Sequence, residues 1–411
     1  MHSFINNDDA TVLPIFSRRH VEKRLGFLHI KLQTQTFCRN AINYLVIFFL
    51  LFFISCKDNK EDEVVVIDKL IETEKFELAH TKIKNKLSTK RSEDEILSLK
   101  STKDSHILEL SNDRNRIVYT ENKTVIFRDL ANPLVKLKSF SLLPVNISIS
   151  SDAEHALISL ALSNGAGCKI IAVSLLEARE DYSSNSLIPC NHHGGITTDG
   201  NIFYYFVDDS LYMETLSEIR QSKLIRDKKN FPSPITNIKN KYYIYPIGKT
   251  FLIFAGNAGI YHLYWFDPKK NEEEKIAENI ATPKLYYGNG KNAYIITGMV
   301  GELNIQELKL SAYGKPTLAG IISINHEKTN PWPTSLQTEF ISSFDGEVFR
   351  WNLEGKVKYF PLFAEKFWIA ARDQIIYEDI NKELVIGSLE FTETEQRLLE
   401  LYRQTKKQKT D

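Results

Sequence analysis

One cysteine of this sequence, a residue type whose thiolate can act as a nucleophile, stands at an abrupt change of polarity. Cys56 follows an apolar run over residues 41–54 and precedes a charged stretch over residues 57–63. As a helix the run would be about 21 Å long at 1.5 Å per residue, shorter than the bilayer core of about 30 Å. Lys31 and Arg39 provide a positive flank. The pattern predicts the hydrophobic region of a signal peptide, ending at a nucleophilic thiol.

This segment resembles the lipobox of bacterial lipoproteins. Ser55 is the small residue directly before the cysteine, and Phe53 stands where many families have leucine, as in the relaxed lipoboxes of spirochaetes. The resemblance implies that residues 1–55 are a signal peptide, and that Cys56 becomes lipidated and N-terminal. Its acyl chains would hold the protein in the bilayer, each buried methylene contributing about 0.8 kcal/mol. We therefore expect an extracytoplasmic, lipid-anchored protein, at the periplasmic face or on the cell surface.

Two alternatives for the same run are an uncleaved anchor helix and a buried hydrophobic helix. The residues before the run are also unusual for a signal peptide, because they include Asp8, Asp9 and Glu22. We expect the natural start to lie nearer Leu25 or Leu28.

A second pair of thiols suggests a disulfide. In the strand scheme given below, Cys168 begins the third strand of a sheet and Cys190 ends the fourth. Antiparallel neighbours would bring these ends to a Cα separation of about 4.5–5.5 Å, which a disulfide can bridge. Outside the cytoplasm such a bond would persist. The alternative is two buried free thiols.

Other candidates for catalysis or metal binding are weak. His192 and His193 are adjacent and would point to opposite faces of a strand, so a turn explains them better than a shared metal. Asp208 and Asp209 fall where a tight turn is needed. The sequence has no nucleophile elbow, Walker loop or dinucleotide fingerprint. It predicts no enzyme, no cofactor and no bound metal.

One aromatic residue is a candidate for partner contact. Trp332 lies between Pro331 and Pro333, in what we interpret as a loop between sheets. Rigid exposed aromatics are frequent binding hot spots. The alternative is that the indole folds back onto the sheet beneath it.

The elements that must position these residues are mostly strands. From residue 105, short β-rich runs alternate with turn residues, most clearly in ISSFDGEVFRWNLEGKVKYF (341–360), and predict consecutive hairpins. Comparable turns recur at intervals of 44, 42, 49, 42, 45 and 28 residues. These turns fall at Thr124, Cys168, Ser210, Gly259, Gly301, Gly346 and Gln374.

A period in the forties is typical of β-propeller blades. In period and hairpin texture, residues 105–390 resemble WD40-type and quinoprotein-like propellers, although Trp-Asp and Gly-His dipeptides are missing. We predict an all-β propeller of about seven four-stranded blades, with six or eight as alternatives. A pair of β-sandwiches is the competing architecture.

Helices are predicted on both sides of the strands. Residues 56–63 form a polar tether, and apolar spacings of three, four and seven predict a helical segment over 64–104. Thr392 and Glu395 have the spacing of a capping box, which predicts that a helix begins the C-terminal segment 391–411.

The charge composition bears on the class of partner. The chain has 52 basic and 52 acidic residues, a balance that argues against a nucleic-acid partner. We predict a membrane-anchored, non-enzymatic scaffold for an unknown protein partner. The alternatives are an extracytoplasmic enzyme (a hydrolase or a quinone-dependent dehydrogenase with its site in the channel) and an outer-membrane assembly factor.

Overall fold

The fold is known from a computed structural model, in which the chain divides into two compact parts, residues 1–63 and 64–411. Everything described below lies in the second part, apart from Glu63. The structure describes residues 63–98, 107–132, 134–165, 167–183, 190, 194–207, 210–215, 223–225, 241–257, 259–299, 302–311, 315–325, 328, 330–335 and 338–410.

The described strands pair with their sequence neighbours as antiparallel meanders, which we divide into four-stranded modules. Module 1 contains β2 (Leu108–Leu110), β3 (Arg116–Glu121), β4 (Thr124–Asp129) and β5 (Leu134–Ser139). Module 2 contains β6 (Leu143–Ile149), β7 (His155–Ala161), β8 (Cys168–Ser174) and β9 (Arg179–Ser183). Module 3 contains β10 (Gly194–Ile196), β11 (Ile202–Val207), β12 (Ser210–Thr215) and β13 (Lys223–Ile225).

Modules 4 and 5 share one long strand. They form a seven-stranded sheet of β14 (Lys241–Ile247), β15 (Thr250–Asn257), β16 (Ile260–Asp267), β17 (Glu272–Tyr287), β18 (Asn292–Met299), β19 (Glu302–Lys309) and β20 (Thr317–Ile324). The first half of β17 pairs with β16 and the second half with β18, and the register shifts on both sides of Thr282. Pro283 lies at this irregularity, where its missing N–H is tolerated. The two halves of β17 therefore serve as the last strand of module 4 and the first strand of module 5.

The last module is completed by a strand from the other end of the domain. Module 6 contains β21 (Trp332–Pro333), β22 (Glu339–Phe344), β23 (Glu347–Asn352) and β24 (Val357–Phe363). Module 7 contains β25 (Phe367–Ile369), β26 (Ile375–Glu378), β27 (Leu384–Gly387) and β1 (Glu95–Ser98). In module 7, β1 pairs antiparallel with β27.

The hydrophobic core lies between the modules. Separate clusters of buried side chains join module 1 to 2, 2 to 3, 3 to 4 and 4 to 5. One further cluster joins modules 5, 6 and 7 with module 1, for example through Tyr294, Phe340, Ile376 and Ile117. Each module therefore buries apolar faces against its neighbours, as small sheets that cannot bury both faces alone must do.

A buried polar cluster, the clasp, fixes β1 in place. Arg91 donates to both carboxylate oxygens of Asp94 at 2.9 and 2.7 Å, and the Tyr377 hydroxyl donates to Asp94 Oδ2 at 2.6 Å. Although burial opposes it, the bond to Asp94 raises the pKa of Arg91. Burial and the same carboxylate raise the pKa of Tyr377, which therefore remains a donor. Arg91 also donates to the carbonyls of Ser388 and Glu390.

In the part of the chain that the structure describes, three α-helices flank the strands: α1 (Glu63–Glu72), α2 (Phe76–Leu87) and α3 (Glu393–Thr410). The capping box is present at α3, because Thr392 N donates to Glu395 Oε2 at 2.7 Å and Glu395 N donates to Thr392 Oγ1 at 3.2 Å. The structure differs from the sequence prediction over 64–104, where Glu95–Ser98 is the strand β1 and not a helix.

The structure confirms the prediction of a mostly-β fold with hairpins and short helical segments, and it explains the short last interval. The turns at Thr124 and Gly346 join the second and third strands of their modules, whereas Gln374 lies between the first and second strands of module 7. The 28-residue interval therefore compares two different turns.

Candidate functional site

The helix α3 forms one wall of a groove against module 6. Its apolar side, which includes Leu398, Leu401 and Tyr402, is buried with Ile83 of α2 and Phe363 of β24. Tyr402 stacks on His80 of α2 with ring centroids 4.4 Å apart. This packing fixes the position of the cationic side chains farther along α3.

The groove, which we call the α3 groove, has a volume of about 470 Å³. It is lined by Phe344, Glu347, Phe349, Tyr359, Arg403, Lys406 and Lys407. Phe344 is 43% exposed at the end of β22, whereas Phe349 is buried beside Tyr359, with ring centroids 5.3 Å apart. The groove therefore presents an aromatic floor with an accessible edge.

Three cations and one carboxylate set the charge of the groove. The Arg403 guanidinium lies 3.6 Å from the centroid of the Tyr359 ring, a cation–π contact. Lys406 pairs with the buried carboxylate of Glu347. With Lys407 on the same wall, the groove is net positive.

A second candidate is a cavity of about 180 Å³ among the first strands of modules 1 to 5. It is lined by Glu109, Leu110, Asn112, Asn146, Ile147, Ser148, Ile149, Ser150, Gly194, Tyr243, Ile244, Tyr245, Pro246 and Tyr287. Among the described residues of that lining, Glu109 is the only charged one, and three tyrosines surround the same space.

Burial changes the titration of the groups in and near this cavity. Burial raises the pKa of Glu109 to about 7, against an opposing effect of Lys284. Burial lowers the pKa of Lys284 to about 8, against an opposing effect of Glu109. The Lys284 ammonium lies over the rings of Tyr286 and Trp332, at 5.2 and 4.9 Å from their centroids.

Cys168 and Cys190 form a disulfide with a Cα separation of 5.0 Å. Cys168 begins β8, the third strand of module 2, as the strand scheme has it. Cys190 lies beyond the end of β9 at Ser183, rather than at the end of that strand. The bond therefore ties the connection between modules 2 and 3 to β8.

Trp332 does not lie in an exposed loop. It is 3% exposed in β21, the first strand of module 6, and packs edge-to-face on Tyr286 with ring centroids 5.4 Å apart. The indole is therefore folded onto the sheet, as the alternative to an exposed partner contact predicts.

Several residues singled out in the sequence lie outside the described residues. They are Cys56, His192, His193, Asp208 and Asp209. Among the residues that are described, no group of three or more His, Cys, Asp and Glu side chains could hold a metal ion. Within the same part of the chain, no helix combines the length and apolarity needed to cross a membrane.

A turn between the first and second strands is repeated in modules 1 to 3, and this repetition was not predicted from the sequence. Ser111, Ser150 and Thr197 each donate from the hydroxyl to an aspartate two residues later, at 2.6 Å. The same oxygens accept from the backbone N–H five residues later, at 3.0–3.2 Å. The signal in the sequence is Ser/Thr-x-Asp at the start of modules 1 to 3.

No protein-family model matches the chain, and no curated protein is significantly similar to it. Among solved structures, it is similar to the Cps50 (Swd1) β-propeller domain of Myceliophteria thermophila, with 14% identity, a TM-score of 0.47, and 71% of this chain and 98% of that chain covered. It is similar to U3-55K, with 9% identity, a TM-score of 0.44, and 72% of this chain and 99% of that chain covered. It is also similar to Kuenenia stuttgartiensis hydrazine synthase, with 11% identity, a TM-score of 0.42, and 71% of this chain and 97% of that chain covered. Because these TM-scores lie below 0.5, the fold assignment depends on the strand pairing alone.

Proposed function

We propose that this chain is a non-enzymatic, protein-binding scaffold that docks an acidic segment of its partner in the α3 groove. The observation that carries the proposal is the combination of an accessible aromatic floor with a wall of three cations. An apolar or aromatic anchor of the partner would pack on Phe344 and Tyr359, since aromatic side chains supply much of the energy at protein interfaces. Carboxylates beside that anchor would face Arg403 and Lys407, which gives electrostatic complementarity.

We propose that the seven modules close into a propeller. Two observations support a ring: β1 completes the module that contains β27, and one core cluster joins modules 5, 6 and 7 with module 1. Ring closure would leave only short sheet edges. A solution scattering curve that fits an open arc of sheets, and not a closed disc, would contradict this arrangement.

We expect the groove to bind an acidic peptide with a single aromatic anchor. The probe is a fluorescein-labelled peptide of glutamates around one phenylalanine, measured by fluorescence anisotropy. Phe344→Ser combined with Lys407→Gln should weaken its binding about tenfold, equivalent to about 1.4 kcal/mol.

The matched control is Leu353→Ser with Lys356→Gln. This pair also replaces one exposed apolar side chain and one lysine, but at a turn of module 6 outside the groove. This pair should leave the affinity unchanged. Peptides with lysine in place of glutamate, or alanine in place of phenylalanine, should bind weakly. Equal binding by both double variants, or no binding of the acidic peptide, would exclude the groove as the docking surface.

We further propose that the scaffold is anchored to a bacterial membrane through acylated Cys56. The support is the lipobox resemblance of the sequence around Ser55 and Cys56. In a bacterial host fed an alkyne-tagged fatty acid, the wild-type protein should carry the label and Cys56→Ser should carry none. Cys38→Ser, which changes the other cysteine of the N-terminal segment, should be labelled like the wild type. Label that persists in Cys56→Ser would refute the anchor.

A further inference from the structure

The cavity among the first strands has a chemical character that differs from that of the α3 groove. Its lining, as far as the structure describes the chain, contains one carboxylate, the rings of Tyr243, Tyr245 and Tyr287, and no Lys or Arg side chain. Tyrosine faces carry partial negative charge. The lining is therefore suited to a positively charged guest.

Glu109 is not neutralised by a direct contact. Within the described part of the chain its carboxylate accepts no hydrogen bond, and its charged neighbour Lys284 directs its ammonium to the faces of Tyr286 and Trp332. Glu109 is half-buried, and carboxylates withdrawn from bulk water normally have hydrogen-bond partners. The arrangement leaves a carboxylate at the wall of a cavity with unused acceptor capacity.

Packed turns bridge the modules beside one end of the cavity. Asn112 N donates to Ser151 O at 2.8 Å, and Asn112 Nδ2 donates to Pro246 O at 3.4 Å. Gly248 N donates to Ser151 Oγ at 3.2 Å. These bonds connect the turns of modules 1, 2 and 4, so a guest would meet a preformed wall.

We propose that this cavity binds a small organic cation, an ammonium group whose charge is met by Glu109 and whose alkyl groups contact Tyr243, Tyr245 and Tyr287. Aromatic faces with a carboxylate are the usual environment for alkylammonium ligands. Calcium would require six to eight oxygen ligands, and magnesium a near-ideal octahedron, whereas the described residues of the lining include a single carboxylate. At about 180 Å³, the space is below the usual size of drug-binding pockets, which restricts the guest to a small amine.

The test uses choline and tetramethylammonium as probes in isothermal titration calorimetry with the full chain. Their matched control is 3,3-dimethyl-1-butanol, the neutral analogue of choline. Glu109→Gln should weaken binding of both cations about ten- to hundredfold, because the ammonium group of the probe loses its contact with a charged carboxylate. Glu180→Gln, an exposed carboxylate on β9, should leave it unchanged.

A pH series on the wild-type protein gives a second measurement that does not depend on a variant. Only the ionised carboxylate attracts the probe, and the pKa of Glu109 is about 7, so choline binding should tighten as pH rises from 6 to 8. The charged and titratable neighbours are Lys284, which loses positive charge near pH 8, and Tyr245 and Tyr287, whose raised pKa values keep them neutral.

Glu109→Gln should also retain the fold. Because the pKa of Glu109 is raised in the folded protein, ionisation of this carboxyl group reduces the stability of the fold. The loss develops as pH rises from the pKa of a glutamate in the unfolded chain towards 7. The variant should therefore unfold at a temperature equal to or above that of the wild type at pH 8. Absence of saturable choline binding, equal binding of the neutral analogue, or affinity that is the same at pH 6 and 8 would overturn the proposal.

Discussion

Replacing Gly387 with alanine should destabilise the domain by about 3–5 kcal/mol, the cost of breaking a buried ion pair. A Cβ at this position would lie 2.0 Å from Asp94 Oδ1 and 2.6 Å from Arg91 Nη2. Both atoms belong to the clasp, so the methyl group would force the carboxylate away from Arg91 and Tyr377. Because β27 also pairs with β1, displacement of the clasp should weaken the last module. Urea unfolding followed by tryptophan fluorescence would measure the loss.

Gly165→Ala is the control for the substitution itself. Gly165 has open space around its ideal Cβ but a φ of +70°, so alanine there carries only backbone strain, about 1 kcal/mol. Gly387 has no positive φ, and its effect should come from contacts alone. If Gly387→Ala loses no more stability than Gly165→Ala, the clasp does not hold the domain together.

Local sequence signals predicted the hairpins because the residues that form a turn lie next to each other. Asp345 and Gly346 have φ values of +52° and +81°, which aspartate and glycine tolerate and which hairpin turns require. The β-rich runs on either side of this turn predicted the two strands. The same reasoning recovered the capping box at Thr392, which depends on a spacing of three residues.

Long-range pairing was beyond the reach of these signals. Ile96 and Leu97 lie beside polar residues, with no Gly or Pro nearby to indicate a hairpin. Their strand pairs with β27, which lies almost 290 residues away in the sequence. Trp332 was ambiguous for a related reason. Two flanking prolines indicate a loop in most contexts, but β21 is the edge strand of module 6, where a sheet tolerates proline.

For the candidate sites too, the sequence predicted local features but not the long-range packing that forms each site. The sequence Leu108-Glu109-Leu110 predicts that glutamate faces away from the two leucines. Whether that face meets solvent or a cavity depends on the strands of four other modules. The α3 groove likewise requires α3 to pack on β24, and the sequence of α3 predicts an apolar side without naming the surface that covers it.

Asp94→Ala should destabilise the domain by about 3–5 kcal/mol, because it leaves the buried guanidinium of Arg91 without its partner. The Tyr377 hydroxyl would lose its acceptor at the same time. Arg91→Met should be similarly costly, since it leaves the carboxylate unpaired. The double variant Arg91→Met with Asp94→Leu removes both charges, and its loss should be smaller than the sum of the two single losses by several kcal/mol.

The control for the buried Arg91–Asp94 pair is an ion pair nearer the surface. Arg116 and Glu154 approach to 2.8 Å with side chains 26% and 35% exposed, and water screens such pairs. Glu154→Ala should therefore cost about 1 kcal/mol or less. Tyr377→Phe should cost about 1.5–3 kcal/mol, the value for a hydrogen bond to a charged group. Additive losses for Arg91 and Asp94, or a cost for Asp94→Ala no larger than that for Glu154→Ala, would mean that β1 is held by its strand pairing with β27 and not by the buried charges.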